Sequence, residues 1–309
     1  MQKIILIVGP TASGKTDLSI KIAKEFNGEC INSDSTQIYK GTDIATNKIN
    51  SDEMQGIKHH LLSIREVNET YSVADFQKEA RGKIRDIISR NKNPIIVGGT
   101  GLYVNALIMD YNFTSKDHIS NFNNKFLHLS NQELWDLLDK IDNLEAKKIH
   151  PNNRNRIIRA LEINKLNDNI KSNIIKNNKN YIYDNLLIIG LIPNRSDLYN
   201  KINNRVLQLT DRGLFDEIRS AYIKNNFNKS AQALKCIGGP EIIKFIEKEI
   251  DYEQCIELMQ KNNRHYARRQ ITWFKNQLKG VNWFEHDYSN FDDVCNEIII
   301  FIKQKYNNY

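Results

Sequence analysis

Apolar positions along the chain follow two periods. Short unbroken apolar runs at Ile4 to Val8, Ile95 to Val97 and Leu186 to Leu191 read as strands buried on both faces, the pattern of a parallel sheet. Between them apolar residues recur at helical spacing. Leu18, Ile22, Ala23 and Phe26 mark a helix ending at Asn27 and Gly28, and a short strand over Glu29 to Asn32 follows. Another helix opens at Thr70 to Phe76, runs to about Arg90, and is broken by Asn91 to Pro94. The stretch Asp43 to Asn68 carries few periodic signals and reads as loop; its adjacent His59 and His60 point different ways, which suits packing better than metal binding.

From Thr114 to about Asn153 the pattern changes to short polar helices, including one over Glu133 to Lys148. Its apolar face (Leu134, Leu137, Leu138, Ile141, Leu144) is thin and is expected to lean on the core or on a partner. A helix over Arg154 to Glu162 turns Ile157, Ile158 and Leu161 inward, and 168–185 reads as a polar loop. Helices at Ser196 to Gln208 and after Gly213 have ordinary amphipathic patterns with little catalytic content. A long helix from Glu253 to Leu278 is expected to pack Met259, Tyr266 and Trp273 inward. The expected organisation is an α/β core over 1–113, a helical insertion over 114–153, and the rest of the core over 154–309.

The first strand leads into Gly9, Pro10, Thr11, Ala12, Ser13, Gly14, Lys15 and Thr16, which fits G-x-x-x-x-G-K-[ST] ahead of a helix. Glycines at both ends let backbone N–H groups wrap an anion, and the helix adds its positive end. Lys15 is expected to reach the terminal phosphates and Thr16 to offer its hydroxyl to Mg2+. The strand Glu29 to Asn32 delivers Asp34 to the same rim, either as a chemical group or as a turn carboxylate. A second strand-then-glycine turn holds Gly98, Gly99 and Gly101 around Thr100. Lys235 to Pro240 reads as a glycine-rich turn between helices, either structural or holding a substrate base. In the long helix, Lys261, Arg264 and Arg268 share one side; like charges four apart repel, so the cluster suggests an anion nearby, the alternative being a solvated basic face. Arg268 and Arg269 beside Trp273 suit a nucleic acid.

The composition is globular, with 40% hydrophobic and 26% charged residues among 309. A formal net charge of +7 suits a polyanionic partner without requiring one. The four cysteines, Cys30, Cys236, Cys255 and Cys295, lack C-x-x-C spacing, which points to neither zinc nor a disulfide framework and suits a reducing cytoplasm. No apolar run approaches the ~20 residues that span a membrane, and the first such run is the phosphate-loop strand, not a signal peptide. A soluble cytoplasmic protein, working as a monomer without a membrane partner, is expected.

These motifs together resemble the tRNA dimethylallyltransferases, also called tRNA isopentenyl transferases. The resemblance spans nearly the whole chain, through the phosphate loop, Asp34 to Tyr39, His59 to Leu61, Tyr71 to Phe76, Gly98 to Tyr103, His150 to Asn152, Arg156 to Glu162 and Arg264 to Phe274. It implies a P-loop NTPase-like parallel sheet flanked by helices, with a helical insertion. It implies transfer of a dimethylallyl group from dimethylallyl diphosphate to N6 of adenosine 37 in the tRNA anticodon stem-loop, with Mg2+. The phosphate loop and Arg264 would hold the diphosphate, Asp34 would be the base beside Thr100, and Thr16 and Asp34 would face the metal. tRNA contacts would come from Asp34, Ser35, Thr36 and Gln37; from Arg156, Ile157, Ile158, Arg159 and Ala160; from Lys235, Cys236, Ile237, Gly238, Gly239 and Pro240; and from Arg268, Arg269, Gln270 and Trp273. The chain departs from the family pattern at Ile237-Gly-Gly-Pro-Glu241 (usually I-G-Y-[KR]-E), at Asn152-Asn153 (usually N-D) and at Ile44-Ala-Thr-Asn-Lys48 (usually I-G-T-A-K). Read without the resemblance, the loop suggests ATP. A small-molecule kinase or phosphotransferase, or a non-catalytic RNA-binding module, are the alternatives.

Overall fold

The computed structural model describes residues 2–111, 122–166 and 180–307. The chain forms two compact units, Met1–Leu107 with Tyr183–Tyr309, and Ile108–Ile182.

The first unit is built on a six-stranded sheet: β1 (Ile4–Val8), β2 (Gly28–Asn32), β3 (His59–His60), β4 (Asn93–Val97), β5 (Leu186–Pro193) and β6 (Val281–His286). Every pairing is parallel, and the order is β3-β2-β4-β1-β5-β6. All five residues of β1 are buried, which explains its unbroken apolar run. Its helices are α1 (Lys15–Glu25), α2 (Val73–Ser89) and α3 (Gly101–Ile108). α2 starts at a capping box, with Ser72 accepting from Asp75 N–H and the Asp75 carboxylate accepting from Ser72 N–H.

Four further α-helices follow β5 among the described residues. They are α7 (Arg195–Asp211), α8 (Leu214–Lys224), α9 (Gly239–Ile246) and α10 (Tyr252–Gln277); β6 and α11 (Phe291–Asn307) close the chain. α1 and α11 share one core with the sheet, joining Leu18 and Ile22 to Val294, Ile298 and Ile302 around Ile5, Ile7, Ile189 and Leu191.

His59 and His60 form an edge strand, where the sequence reading has loop. Buried His60 shares the Glu29 carboxylate, at 2.8 Å, with Arg90 and Lys92. Along α10 the buried line is Cys255, Met259, Asn263, Ala267, Gln270 and Phe274. Tyr266 and Trp273 are half-buried, so the expected spacing of seven gives way to a stripe of three and four.

The second unit holds α4 (Asn131–Ile141), α5 (Asn143–Ala146) and α6 (Arg154–Leu166). The helix expected over 133–148 is divided at Asp142, whose side chain accepts from Glu145 N–H and caps α5. The unit has its own core, in which Leu134 and Leu138 meet Ile157, Ile158 and Leu161. α6 therefore packs in this unit, which reaches beyond the 114–153 drawn from the sequence. Of the polar loop expected over 168–185, residues 168–179 lie outside the described residues, as does the expected insertion start at 114.

Candidate active site

Loops leaving the carboxyl ends of parallel strands share one rim. Because β4 lies between β2 and β1, the turn Gly98 to Gly101 separates the Asp34 segment from the phosphate loop. Within the phosphate loop Ala12 takes the left-handed conformation (φ 64°), and Gly14 does the same (φ 83°) where it caps α1. A Cβ on Gly14 would lie 2.3 Å from the Phe291 ring, so backbone conformation and close contact both demand glycine. The loop amides are not all free to meet an anion. Thr11 N–H donates to Gln270 Oε1 at 2.8 Å and Ser13 N–H to Pro10 O at 3.3 Å. Helix α1 adds its first-turn N–H groups, at Lys15, Thr16 and Asp17. Among the described residues the buried Ser13 hydroxyl has no hydrogen-bond partner.

Lys15 donates to Pro10 O at 2.5 Å. Burial pulls its pKa down to about 8; the Asp34 carboxylate opposes this, and the Arg205 guanidinium adds to it. Arg205, on α7, forms no hydrogen bond or ion pair among the described residues. It lines a cleft with Thr11, Ile202, Val206, Leu209, Ile237 and Asn263. Burial lowers its pKa as well. Like charges held within reach of each other repel, and an anion between Lys15 and Arg205 would relieve that repulsion.

Asp34 follows β2. Its Oδ1 accepts from Thr36 N–H at 3.0 Å and Thr36 Oγ1 at 2.7 Å, while Oδ2 has no partner among the described residues. Asn32 fixes the turn, accepting from Asp34 N–H at 2.9 Å and donating to Asp34 O at 3.0 Å. Thr100 Oγ1 accepts from Ser35 N–H at 3.0 Å and lies 3.3 Å from Ser35 Oγ. One hydroxyl thus joins the two rim segments.

Helix α10 covers this rim. Gln270 donates to Gly99 O at 2.9 Å as well as accepting from Thr11, so one buried amide straps two loops together. Trp273 lies over Gly101, where a Cβ would come within 2.3 Å of the indole. One turn before Gln270, Tyr266 faces Thr100 and the Asp34 charge; burial first, then that charge, raises its phenol pKa and keeps it protonated.

A family model described as IPP transferase matches residues 37–277. A tRNA dimethylallyltransferase of Anoxybacillus flavithermus is 43% identical over 306 residues, covering 99% of this chain and 97% of that protein. The chain belongs to the tRNA dimethylallyltransferase family. A second relative of that name, from a Thermoanaerobacter species, is 41% identical over 316 residues, 99% of each chain. Among solved structures, the tRNA isopentenylpyrophosphate transferase of Bacillus halodurans matches with a TM-score of 0.76 at 40% identity, covering 100% of this chain and 98% of that one. A eukaryotic dimethylallyltransferase acting on tRNA matches with a TM-score of 0.87 at 30% identity, covering 100% and 80%. With these neighbours, the parallel sheet is the P-loop NTPase-like fold that membership of the dimethylallyltransferase family implies.

Other residues singled out from the dimethylallyltransferase pattern fall in several environments. Arg264, expected on the diphosphate, donates to Asn203 Oδ1 at 2.5 Å. Gln270, expected on tRNA, is buried in its two intramolecular bonds. Ile157, Ile158 and Ala160 are buried in the core of the second unit. Arg156 is exposed and Arg159 pairs with Glu162 at 2.5 Å. Gln37 donates to Thr46 O at 3.1 Å. Cys236 is buried, while Lys235, Arg268 and Arg269 are exposed. Gly239, where the family pattern has tyrosine, packs so closely that a Cβ there would meet Leu234 O at 2.1 Å. The sequence reading passed over Arg205. Its one available signal is Lys201, four residues earlier, a like-charged pair on an otherwise ordinary amphipathic helix.

Proposed function

We infer that the chain is a prenyltransferase of tRNA, moving a dimethylallyl group from dimethylallyl diphosphate to the exocyclic N6 of adenosine 37 and releasing diphosphate. The observation that carries the residue assignment is Asp34, whose unengaged carboxylate oxygen stands across the Thr100 turn from the phosphate loop. Two strand positions amount to about 10 Å, room for an allylic carbon on one side and an amine on the other.

In this reading the bond between the allylic carbon and the diphosphate oxygen breaks as N6 bonds to that carbon. Charge grows on the leaving diphosphate, and Lys15, Arg205 and the first-turn N–H groups of α1 stabilise it. The alkylated nitrogen becomes cationic and gives its proton to Asp34 Oδ2. Thr100, fixed by Ser35, orients the amine. Half-buried Tyr266 and Trp273 narrow the entrance around it.

Among the described residues no group of three or more His, Cys, Asp or Glu side chains clusters as a metal site. Thr16 and Asp34 nevertheless offer hard oxygen donors, the set that suits Mg2+ completed by phosphate oxygens and water. When bound there, Mg2+ would neutralise diphosphate charge.

The reacting adenine must leave its stack to reach this rim, and the exposed Arg268, Arg269, Lys235 and Arg156 are proposed phosphate contacts. Free buried thiols at the four cysteines suit the cytoplasm, and a monomer is sufficient for this chemistry. No described helix is long and apolar enough to cross a membrane.

The test is Asp34→Asn, which preserves shape and the Thr36 bonds but removes the base. Single-turnover transfer to an anticodon stem-loop should fall at least 100-fold, the usual weight of a general base or more, with RNA affinity within about three-fold. Transfer at the wild-type rate would remove Asp34 from the mechanism.

A further inference from the structure

The connection between β6 and α11, at the far end of the sequence, meets the phosphate loop from below. Tyr288 donates its hydroxyl to Ala12 O at 2.8 Å, across 276 residues of chain. Phe291 fills the space that Gly14 leaves by having no side chain. His286, buried at the end of β6, stands edge-on to Tyr288, with centroids 5.5 Å apart, and lies against Phe291 at 4.8 Å. The same Tyr288 ring carries the Lys201 ammonium 5.4 Å from its centroid. Lys201 precedes Arg205 by one turn of α7, and Arg205 in turn feels the Tyr288 phenol.

We propose that Tyr288 is a positioning residue of the diphosphate site, fixing the phosphate loop through the Ala12 carbonyl and seating Lys201 beside Arg205. This rests on the reading of the phosphate loop as a diphosphate cradle. Two physical problems of such a cradle are solved by the one side chain. Ala12 is held in a left-handed conformation that costs an alanine free energy, and a carbonyl there that swings inward meets the anion with the negative end of its dipole. Bonding that carbonyl to Tyr288 prevents the swing. Lys201 and Arg205 repel as like charges four apart; the negative face of the phenol ring offsets that repulsion before any anion arrives. A pre-set loop and a pre-set cationic helix lower the ordering cost of binding.

The experiment compares Tyr288→Phe and Tyr288→Leu with the wild-type chain, reading transfer kinetics and calorimetric binding of inorganic diphosphate. Tyr288→Phe keeps the ring and loses the hydroxyl. KM for dimethylallyl diphosphate and the diphosphate dissociation constant should both rise about five-fold, the worth of one hydrogen bond. KM for the RNA should stay put, and kcat at saturating donor should change by less than about two-fold. Tyr288→Leu also removes the face under Lys201 and should weaken diphosphate by a further three-fold or so. Unchanged donor KM and diphosphate affinity in both variants would overturn the proposal. So would a loss shared equally by donor KM, RNA KM and kcat, which marks a general structural defect. If the wild-type chain binds diphosphate but transfers nothing, the functional reading fails while the Tyr288 comparison of diphosphate affinity still stands.

Discussion

Replacing Gln270 with alanine removes two bonds at once. The Thr11 N–H loses its acceptor and the buried Gly99 carbonyl loses its donor. The side chain is 5% exposed, so water reaches the vacated groups poorly. Each buried group left unsatisfied costs about 1–3 kcal/mol, and the smaller side chain adds a cavity. A total near 3 kcal/mol is expected, a large share of the 5–15 kcal/mol that holds a typical domain together. Urea denaturation reads it as a lower midpoint at constant slope. Because the strap joins the phosphate loop to the Thr100 turn, transfer measured below the unfolding range should also show a raised KM for the isoprenoid donor. An RNA-contacting glutamine predicts the opposite pattern: an unchanged midpoint and donor KM, with weaker RNA binding. That pattern, or a midpoint shift equivalent to less than about 0.5 kcal/mol, would refute the strap.

Other outcomes follow from the charges around the rim. Arg205→Gln should lower kcat/KM for the donor by about 100-fold or more, as loss of one charged stabiliser does, while leaving the urea midpoint unchanged or higher because Lys15 loses a repelling neighbour; a lower midpoint with normal kinetics would make Arg205 structural. Lys15 has a folded pKa of about 8 against 10.5, so the unfolded chain binds more protons between those values and this group's contribution to stability rises with pH there. Donor capture needs the ammonium and runs the other way, with kcat/KM falling above about pH 8; a flat profile to pH 9.5 would contradict the role. At the other end of the sheet, Arg90 first, then His60 and Lys92, hold the Glu29 carboxyl well below its ordinary value against the cost of burial. That stability is present above the unfolded value near 4.5 and is lost as pH falls through the folded one. Glu29→Gln should therefore destabilise by about 1.5–3 kcal/mol at pH 7, the worth of hydrogen bonds to a charged group, flatten the acid limb of the stability curve and leave both KM values alone.

Much of this fold is legible in the sequence because parallel strands are buried on both faces and therefore leave unbroken apolar runs, as β1 and β5 do. The phosphate loop and the Asp34 and Thr100 turns are legible because backbone chemistry restricts what stands there. The edge strand β6 is hard to read for the opposite reason, since five of its six residues keep some exposure and its alternation is weak. α11 did leave a signal, with Val294, Ile298 and Ile302 at steps of four, facing α1 and the sheet. The strap made by Gln270 and the place of Arg205 are not legible in the sequence because both are tertiary. Gln270 lies among surface arginines in sequence, yet its partners are 259 and 171 residues away. Arg205 is one charge among several on an amphipathic helix until folding sets it beside Thr11.

Prenyl transfer is tested by incubating the purified chain with unmodified anticodon stem-loop RNA and Mg2+, supplying either dimethylallyl diphosphate or ATP, and weighing the RNA by mass spectrometry. A prenyltransferase gives a gain of one dimethylallyl group at adenosine 37 with the isoprenoid alone and no dependence on ATP. No gain with the isoprenoid, together with ATP turnover on a small acceptor, would contradict it.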